Sequence, residues 1–304
     1  MSRMIRAETI RKVREVVAHA RAAGRLISFV PTMGALHAGH AALLGAARAD
    51  GAFTVVSIFV NPTQFGPSED FASYPRDAEG DLRLCKQHGV DLVFLPSATE
   101  MYPHAPLTSV SVDRLTRHLC GPHRPGHFAG VATVVLKLLN IVTPDVACFG
   151  QKDAQQLAVV RRMVADLDLP VRIAGVPTVR EADGLAMSSR NRRLSAVDRE
   201  QALCLVRALR EAERMARDGV REVADIEARM REVVRAAGPS TIDYVSVVDC
   251  DELQPIDRIH GPALAALAVR IGATRLIDNL VIGPPPDPPA ATGTRPTRTD
   301  REPS

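Results

Sequence analysis

From its first residues to about residue 175, the chain alternates short apolar runs with longer stretches whose apolar positions recur at helical spacing. Leu26 to Val30, Thr54 to Val60, Asp91 to Leu95, Val146 to Phe149 and Val171 to Val176 read as strands. Several of these runs are apolar throughout, as strands must be when helices cover both faces of a parallel sheet. Gly39 to Ala49, Asp77 to His88, Gly130 to Ile141 and Asp153 to Leu167 read as the helices between them, the last capped by Asp153 and stopped by Pro170. Strands that alternate with helices predict βαβ units and a doubly wound parallel sheet, an α/β fold. Ligands of such sheets bind at the carboxyl ends of the strands, so the loops after Val30, Val60 and Phe149 are where chemistry is expected.

Beyond about residue 180 the texture changes. Ser195 with Asp198 forms a capping-box pattern, followed by Leu205, Leu209 and Ala212 at helical spacing. Val223, Ile226, Met230 and Val233 stripe a second helix that ends near Gly238. Tyr244 to Val248, Ala265 to Ile271 and Arg275 to Ile282 then read as antiparallel strands. The expected organisation is a larger unit over residues 1–178, a smaller α+β unit over 179–283, and a Pro-rich tail over 284–304 too poor in apolar residues to offset the entropy of ordering.

Composition narrows the function classes. A formal charge of +3, from 38 basic and 35 acidic residues in 304, offers no nucleic-acid platform, and no basic block is long enough to form one. Five scattered cysteines without CxxC spacing argue against a disulfide framework or a zinc site. The charged N-terminal segment has no apolar signal core, and no run of apolar residues is long enough for a membrane span, so a cytoplasmic protein is expected.

Four strand ends or loops carry candidate chemistry. Pro31-Thr32-Met33-Gly34-Ala35-Leu36-His37-Ala38-Gly39-His40 leaves a strand, turns at Gly34 and enters a helix, which exposes backbone amides and a positive dipole end to a phosphate. His37 and His40 can then donate hydrogen bonds as charge builds on phosphate oxygens, although a structural histidine pair or half of a metal site is also compatible with the spacing. Asn61 and Gln64 follow the second strand and offer amides suited to a hydroxy acid, beside the plainer reading of Asn61-Pro62 as a turn. Gly150-Gln151-Lys152-Asp153 joins another strand to a helix, placing Lys152 for a phosphate, Asp153 at the cap and Gln156 one turn on. Met187-Ser188-Ser189-Arg190 is a polar loop whose hydroxyls and guanidinium suit a β,γ-phosphate leaving group, although Ser-Ser-Arg taken alone reads more simply as an inert loop. A glycine-rich stretch around His127 also precedes a helix, whereas His104, His118 and His123 have no comparable setting.

Taken in order, PTMGALHAGH, FVNPTQF, YPRD, RPGHFAGVATVV, FGQKDAQQ and MSSRN resemble the pantoate–β-alanine ligase family across about residues 5 to 283. The resemblance implies a Rossmann-like nucleotidyltransferase domain with a hinged C-terminal lid, and a homodimer. It implies ATP, (R)-pantoate and β-alanine as substrates, with Mg²⁺ on the β- and γ-phosphates. It further implies phosphate contacts for His37 and His40, pantoate contacts for Asn61, Gln64 and Gln156, and nucleotide contacts for Gly150, Lys152 and Asp153. Met33, Val179 and Met187 match backbone or packing contacts to ATP, and Ser188, Ser189 and Arg190 match a phosphate-gripping lid loop. His127 matches a further active-site histidine, and Asp81 a metal-side ligand. Ala38, Gln151 and Gly80 depart from the family pattern. Two other readings stay open: a different nucleotidyltransferase with the same type of histidine motif, and a nucleotide-binding regulatory paralogue.

Overall fold

The computed structural model describes residues 4–67, 69–238 and 240–284, so the tail from residue 285 lies outside the described residues. The chain begins with β1 (Ile5–Ala7) and α1 (Ile10–Ala22), then β2 (Ile27–Thr32), α2 (Ala38–Ala47), β3 (Phe53–Ile58), α3 (Ala78–Gln87) and β4 (Leu92–Phe94). A short α4 (Ala98–Met101) and a long loop lead to α5 (His127–Val142), β5 (Val146–Gly150), α6 (Ala154–Asp166) and β6 (Arg172–Val176). All six strands pair in parallel in the order β1-β4-β3-β2-β5-β6. Ile27, Phe29, Val55, Leu92 and Phe94 are fully buried on this sheet, which accounts for the unbroken apolar runs.

The second unit comprises α7 (Ala196–Arg217), α8 (Val223–Ala236) and an antiparallel sheet of β7 (Ser240–Asp249), β8 (Ala263–Ile271) and β9 (Thr274–Ile282). The capping box at its first helix is present, with Ser195 accepting from the Asp198 amide and the Asp198 carboxylate accepting in return. The stripe of Ile226, Met230 and Val234 packs on Leu205, Leu209, Val245 and Leu267 in a core of its own.

Two departures have physical reasons. β1 and α1 occupy the charged N-terminal segment, where Thr9 accepts from the Lys12 amide and Val13, Val17 and Ala20 recur at helical spacing and are buried. Asp153 occupies the N-cap position of α6, but its side chain makes no capping bond, because the preceding residues Gln151–Asp153 form a tight 3-10 turn.

The sheet topology sets the place of the crevice. From β2 the chain adds strands on one side through β3 and β4, then crosses to add β5 and β6 on the other. Pairing between β2 and β5 stops at Phe29 and Ala147, although β2 runs on to Thr32 and β5 to Gly150. The two strand ends therefore splay apart at the switch point, where a doubly wound sheet binds its ligand.

Candidate active site

A cavity of about 240 Å³ opens at this switch point, floored by Pro31, Thr32 and Met33 from the end of β2 and by Phe149 and Gly150 from the end of β5. Asn61 and Gln64, Lys152 with Asp153 and Gln156, and Val179 with Met187, Ser188, Ser189 and Arg190 complete its wall. The motifs separated along the sequence thus meet in one crevice. A larger cavity of about 520 Å³ adjoins it, sharing Lys152, Asp153, Gln156, Ser188 and Arg190, and runs between the two units.

The two motif histidines are held by the helix they introduce. His37 is the N-cap residue of α2, and its Nδ1 accepts from the Gly39 amide at 3.1 Å. The His40 Nδ1 reaches back to accept from the His37 amide at 3.2 Å. Both Nδ1 atoms are acceptors, so in the neutral rings each Nε2 carries the hydrogen. Burial, followed by the nearby Lys152 ammonium, lowers the His37 pKa to about 4. Burial and then His37 lower that of His40 to about 3. At neutral pH the crevice is therefore offered two neutral N–H donors at a helix N-terminus.

The turn that delivers them is held from below by Asp81. This buried carboxylate accepts from the Ala35 amide at 3.0 Å and from the Leu36 amide at 2.6 Å. Gly34 has φ of +83°, and a β-carbon there would sit 2.8 Å from Asp81 Oδ2, so only glycine lets the loop lie on that carboxylate. Both oxygens of Asp81, the residue expected on the metal side, thus accept from amides of the loop that carries the histidines. Burial raises its pKa, partly opposed by the Leu36 and Ala35 amides. The adjacent departure, Gly80, leaves room for Asp77 to cap α3 by accepting from the Gly80 amide, a space that a β-carbon at 80 would invade.

The amide wall is built at the end of β3. Asn61 is buried, and its Nδ2 donates to Gln64 Oε1 at 3.1 Å and to the Gly130 carbonyl at 3.2 Å. Its Oδ1 accepts from Tyr102 and Thr63, so Asn61 is satisfied on every side and holds Gln64 in place. The remaining polar reach of Gln64 is its Nε2, which lies against Met33 Sδ at 3.1 Å, a weak acceptor. α5 approaches this turn so closely that a β-carbon on Gly130 would lie 2.7 Å from Gln64 Cα.

His127 lies in the same wall, but neither ring nitrogen is free. Nε2 meets Arg124 Nη1 at 2.7 Å and Nδ1 meets the Gln64 carbonyl at 2.8 Å. An arginine only donates, so Nε2 is the acceptor and Nδ1–H donates to Gln64. Burial and then Arg124 lower its pKa to about 4. Arg124 is itself gripped at 2.7 Å by both oxygens of Glu69.

On the opposite lip, Met187 N donates to the Val179 carbonyl at 2.9 Å, which closes the hairpin between them, and Ser188 caps the 3-10 turn Ser189–Arg193. Asn279 of β9 donates to the Gln151 and Lys152 carbonyls at 3.1 and 2.8 Å, fixing the turn that presents Lys152. Among the described residues no carboxylate pairs with Lys152, which leaves an ammonium in the crevice beside the histidines. Glu69, Asp70, Tyr74, Arg124 and Asn279 shape the site yet were not singled out from sequence. Their partners lie tens of residues away, and only Tyr74 and Arg124 fall within quoted motifs, YPRD and RPGHFAGVATVV.

A doubly wound sheet that places a histidine-bearing helix mouth, a lysine and a Ser-Ser-Arg turn around one switch-point crevice defines a Rossmann-like enzyme of the nucleotide-handling class. Residues 5–281 match the family model described as pantoate-beta-alanine ligase. The chain belongs to that family. It is 57% identical over 276 residues to a pantothenate synthetase of Heliobacterium modesticaldum, covering 90% of this chain and 98% of the relative. The corresponding protein of Pelotomaculum thermopropionicum is 54% identical over 280 residues, covering 92% and 99%. Among solved structures, a pantothenate synthetase from Thermus thermophilus is similar with a TM-score of 0.88 at 46% identity, over 92% of this chain and all of that one. A pantoate-beta-alanine ligase from Francisella tularensis, complexed with beta-gamma ATP and beta-alanine, gives 0.77 at 32% identity, over 92% of this chain and 98% of that one.

Proposed function

We propose that the protein condenses (R)-pantoate with β-alanine at the expense of ATP, through a pantoyl adenylate, releasing AMP and pyrophosphate. A pantoate carboxylate oxygen attacks the α-phosphorus and the bond to the β-phosphate bridging oxygen breaks. The β-alanine amine then attacks the acyl carbon, the bond to AMP breaks, and the amine proton leaves to solvent. No side chain has to act as nucleophile, so catalysis rests on orientation and on stabilising charge.

The observation that carries this reading is the pair of Nε2–H donors of His37 and His40, fixed by backbone amides and facing the same crevice as Lys152. We assign these three groups to the phosphates, Ser188, Ser189 and Arg190 to the leaving pyrophosphate, and Gly150, Asp153, Val179 and Met187 to the nucleoside. Gln151 enters through its backbone. Pro31, Thr32, Met33 and Gly34 form the floor under ATP. Gln64 and Gln156, with Asn61 holding Gln64, take pantoate. An amide wall suits a hydroxy acid better than a phosphorylated substrate, which would favour added arginines.

Mg²⁺ enters as part of the Mg–ATP substrate. The ion is usually held by phosphate oxygens, water and one or two carboxylates, and among the described residues no three His, Cys, Asp or Glu side chains gather into a cage for it. Residues 1–178 serve as the catalytic unit and 179–283 as the lid. No described helix is long and apolar enough to cross a membrane, and a cytoplasmic homodimer is the proposed setting.

The test is to incubate the purified protein with Mg²⁺–ATP, pantoate and β-alanine, with each omitted in turn, and to follow AMP and pantothenate. Pantothenate formed mole for mole with AMP supports the ligase. ATP binding without AMP release under any combination overturns it in favour of a regulatory paralogue.

A further inference from the structure

The segment between the amide wall and α3 carries two adjacent acidic residues that face different partners. Glu69 holds Arg124, which supports His127 and through it the Gln64 carbonyl, so this end of the segment is fastened to the catalytic unit. Asp70 reaches across the cleft to the lid turn. Its Oδ2 accepts from Arg190 Nε at 3.1 Å and its Oδ1 from Arg190 Nη2 at 3.0 Å. Arg193 Nη1 adds a bond of 2.9 Å to Oδ2, while Arg193 Nη2 donates to the Ser73 carbonyl at 2.7 Å. The Arg190 guanidinium also lies 5.8 Å from the centre of the Tyr74 ring.

This grip uses one edge of the Arg190 fork. Nη1 makes no hydrogen bond among the described residues, and Arg190 lines both cavities. A long side chain that would otherwise sample many rotamers is thus fixed before any ligand arrives, which removes an entropic cost from binding. Two arginines on one carboxylate leave the group net cationic, so attraction for a polyanion survives.

We propose that Asp70 is a positioning residue for the nucleotide phosphates: it holds Arg190 by Nε and Nη2, leaving Nη1 free to grip the departing pyrophosphate of ATP. The proposal rests on the reading that Arg190 binds phosphate. Charge alone makes the opposite prediction, because removing a carboxylate beside a phosphate site would tighten ATP. The sign of the effect therefore separates positioning from simple electrostatics.

The experiment compares Asp70→Asn, Asp70→Glu, Arg190→Ala and the Asp70→Asn/Arg190→Ala double variant, with kcat and KM measured for ATP, pantoate and β-alanine and thermal unfolding measured alongside. Asp70→Asn is expected to raise KM for ATP about tenfold, the loss of a charge-assisted bidentate pair, with the other two KM values within about twofold. Asp70→Glu, which can still span to the guanidinium, should recover part of the loss. The double variant should bind ATP no worse than Arg190→Ala, since the proposed effect of Asp70 on the phosphates runs through that side chain. Unchanged or tighter ATP kinetics in Asp70→Asn, with Arg190→Ala impaired, would overturn the positioning role alone. Wild-type ATP kinetics in Arg190→Ala would overturn the phosphate role of Arg190 itself. Additive losses in the double variant, accompanied by a lowered melting temperature, would make Asp70 merely structural.

Discussion

Gly39→Ala tests whether the motif histidines work by position. Gly39 is the second residue of α2, and a β-carbon there would stand 2.8 Å from His37 Cε1 and 3.0 Å from its Nδ1. Carbon atoms in contact ordinarily keep about 3.5–4.0 Å, so the imidazole has to retreat by roughly 0.7–1 Å. The neighbour that yields is a side chain rather than backbone, and alanine is a better helix former than glycine, by up to about 1 kcal/mol. Stability should therefore stay about level, since that gain offsets the weakened cap bond from the residue 39 amide to His37 Nδ1. A misplacement of about 1 Å in a catalytic donor can cost about a hundredfold in rate, so kcat for adenylate formation is expected to fall by that order. Thermal unfolding and pyrophosphate-dependent exchange into ATP read the two effects separately. A Gly39→Ala protein with wild-type exchange would refute the idea that the His37 Nε2 position matters, and one that fails to fold would refute the idea that only a side chain gives way.

Acid should weaken the fold through the neutral histidines. His127, held at about 4 and almost fully enclosed, is protonated later in the folded state than in the unfolded chain, whose value lies near 6.5. Its stabilising contribution is complete above about pH 7 and is lost as pH falls from about 6.5 towards 4, amounting to about 2 kcal/mol by pH 5. Urea midpoints at pH 7.5, 6 and 5 should decline, with a shallower decline in His127→Gln; equal slopes in the two proteins would contradict the assignment. Asp81→Asn should cost about 1–3 kcal/mol, because one of the Ala35 and Leu36 amides loses its acceptor, while the Mg²⁺ dependence of turnover stays unchanged. A marked rise in the Mg²⁺ requirement would instead support Asp81 as a metal-side group. Gly130→Ala drives a methyl into the backbone of the Thr63–Gln64 turn, so a loss of about 1–3 kcal/mol and a higher KM for pantoate are expected, and normal pantoate kinetics would show that the amide wall tolerates displacement.

The sequence made legible those elements whose signals are local. β3, β5 and β6 were visible as apolar runs bounded by turns, and α7 announced itself through Ser195 and Asp198. Helix α5 begins at His127, three residues before its expected start, because Gly126 at φ +78° serves as a left-handed N-cap that no polar side chain signals. Strand order was beyond reach, since it depends on which pairs bury best together. His37, His40, Asn61, Gln64, Lys152 and Asp153 converge because each follows a strand end, and that rule needs no knowledge of distant partners. What holds them there was hidden for the opposite reason. Asp81 reaches Leu36 across 45 residues, Arg124 reaches Glu69 across 55, and Arg190 reaches Asp70 across 120. A carboxylate chosen for such a partner looks in sequence like any solvated acid.

The bonds from the Gly39 amide to His37 Nδ1 and from the His37 amide to His40 Nδ1 close the open end of α2 with the rings proposed to meet phosphate. Many active sites carry groups that weaken the scaffold, so that selection for robustness erodes catalysis. At these two positions the demands coincide. A randomised library screened only for folded, soluble protein should retain a side-chain acceptor at position 37 without any assay of turnover, and heat-resistant variants should accumulate their changes elsewhere.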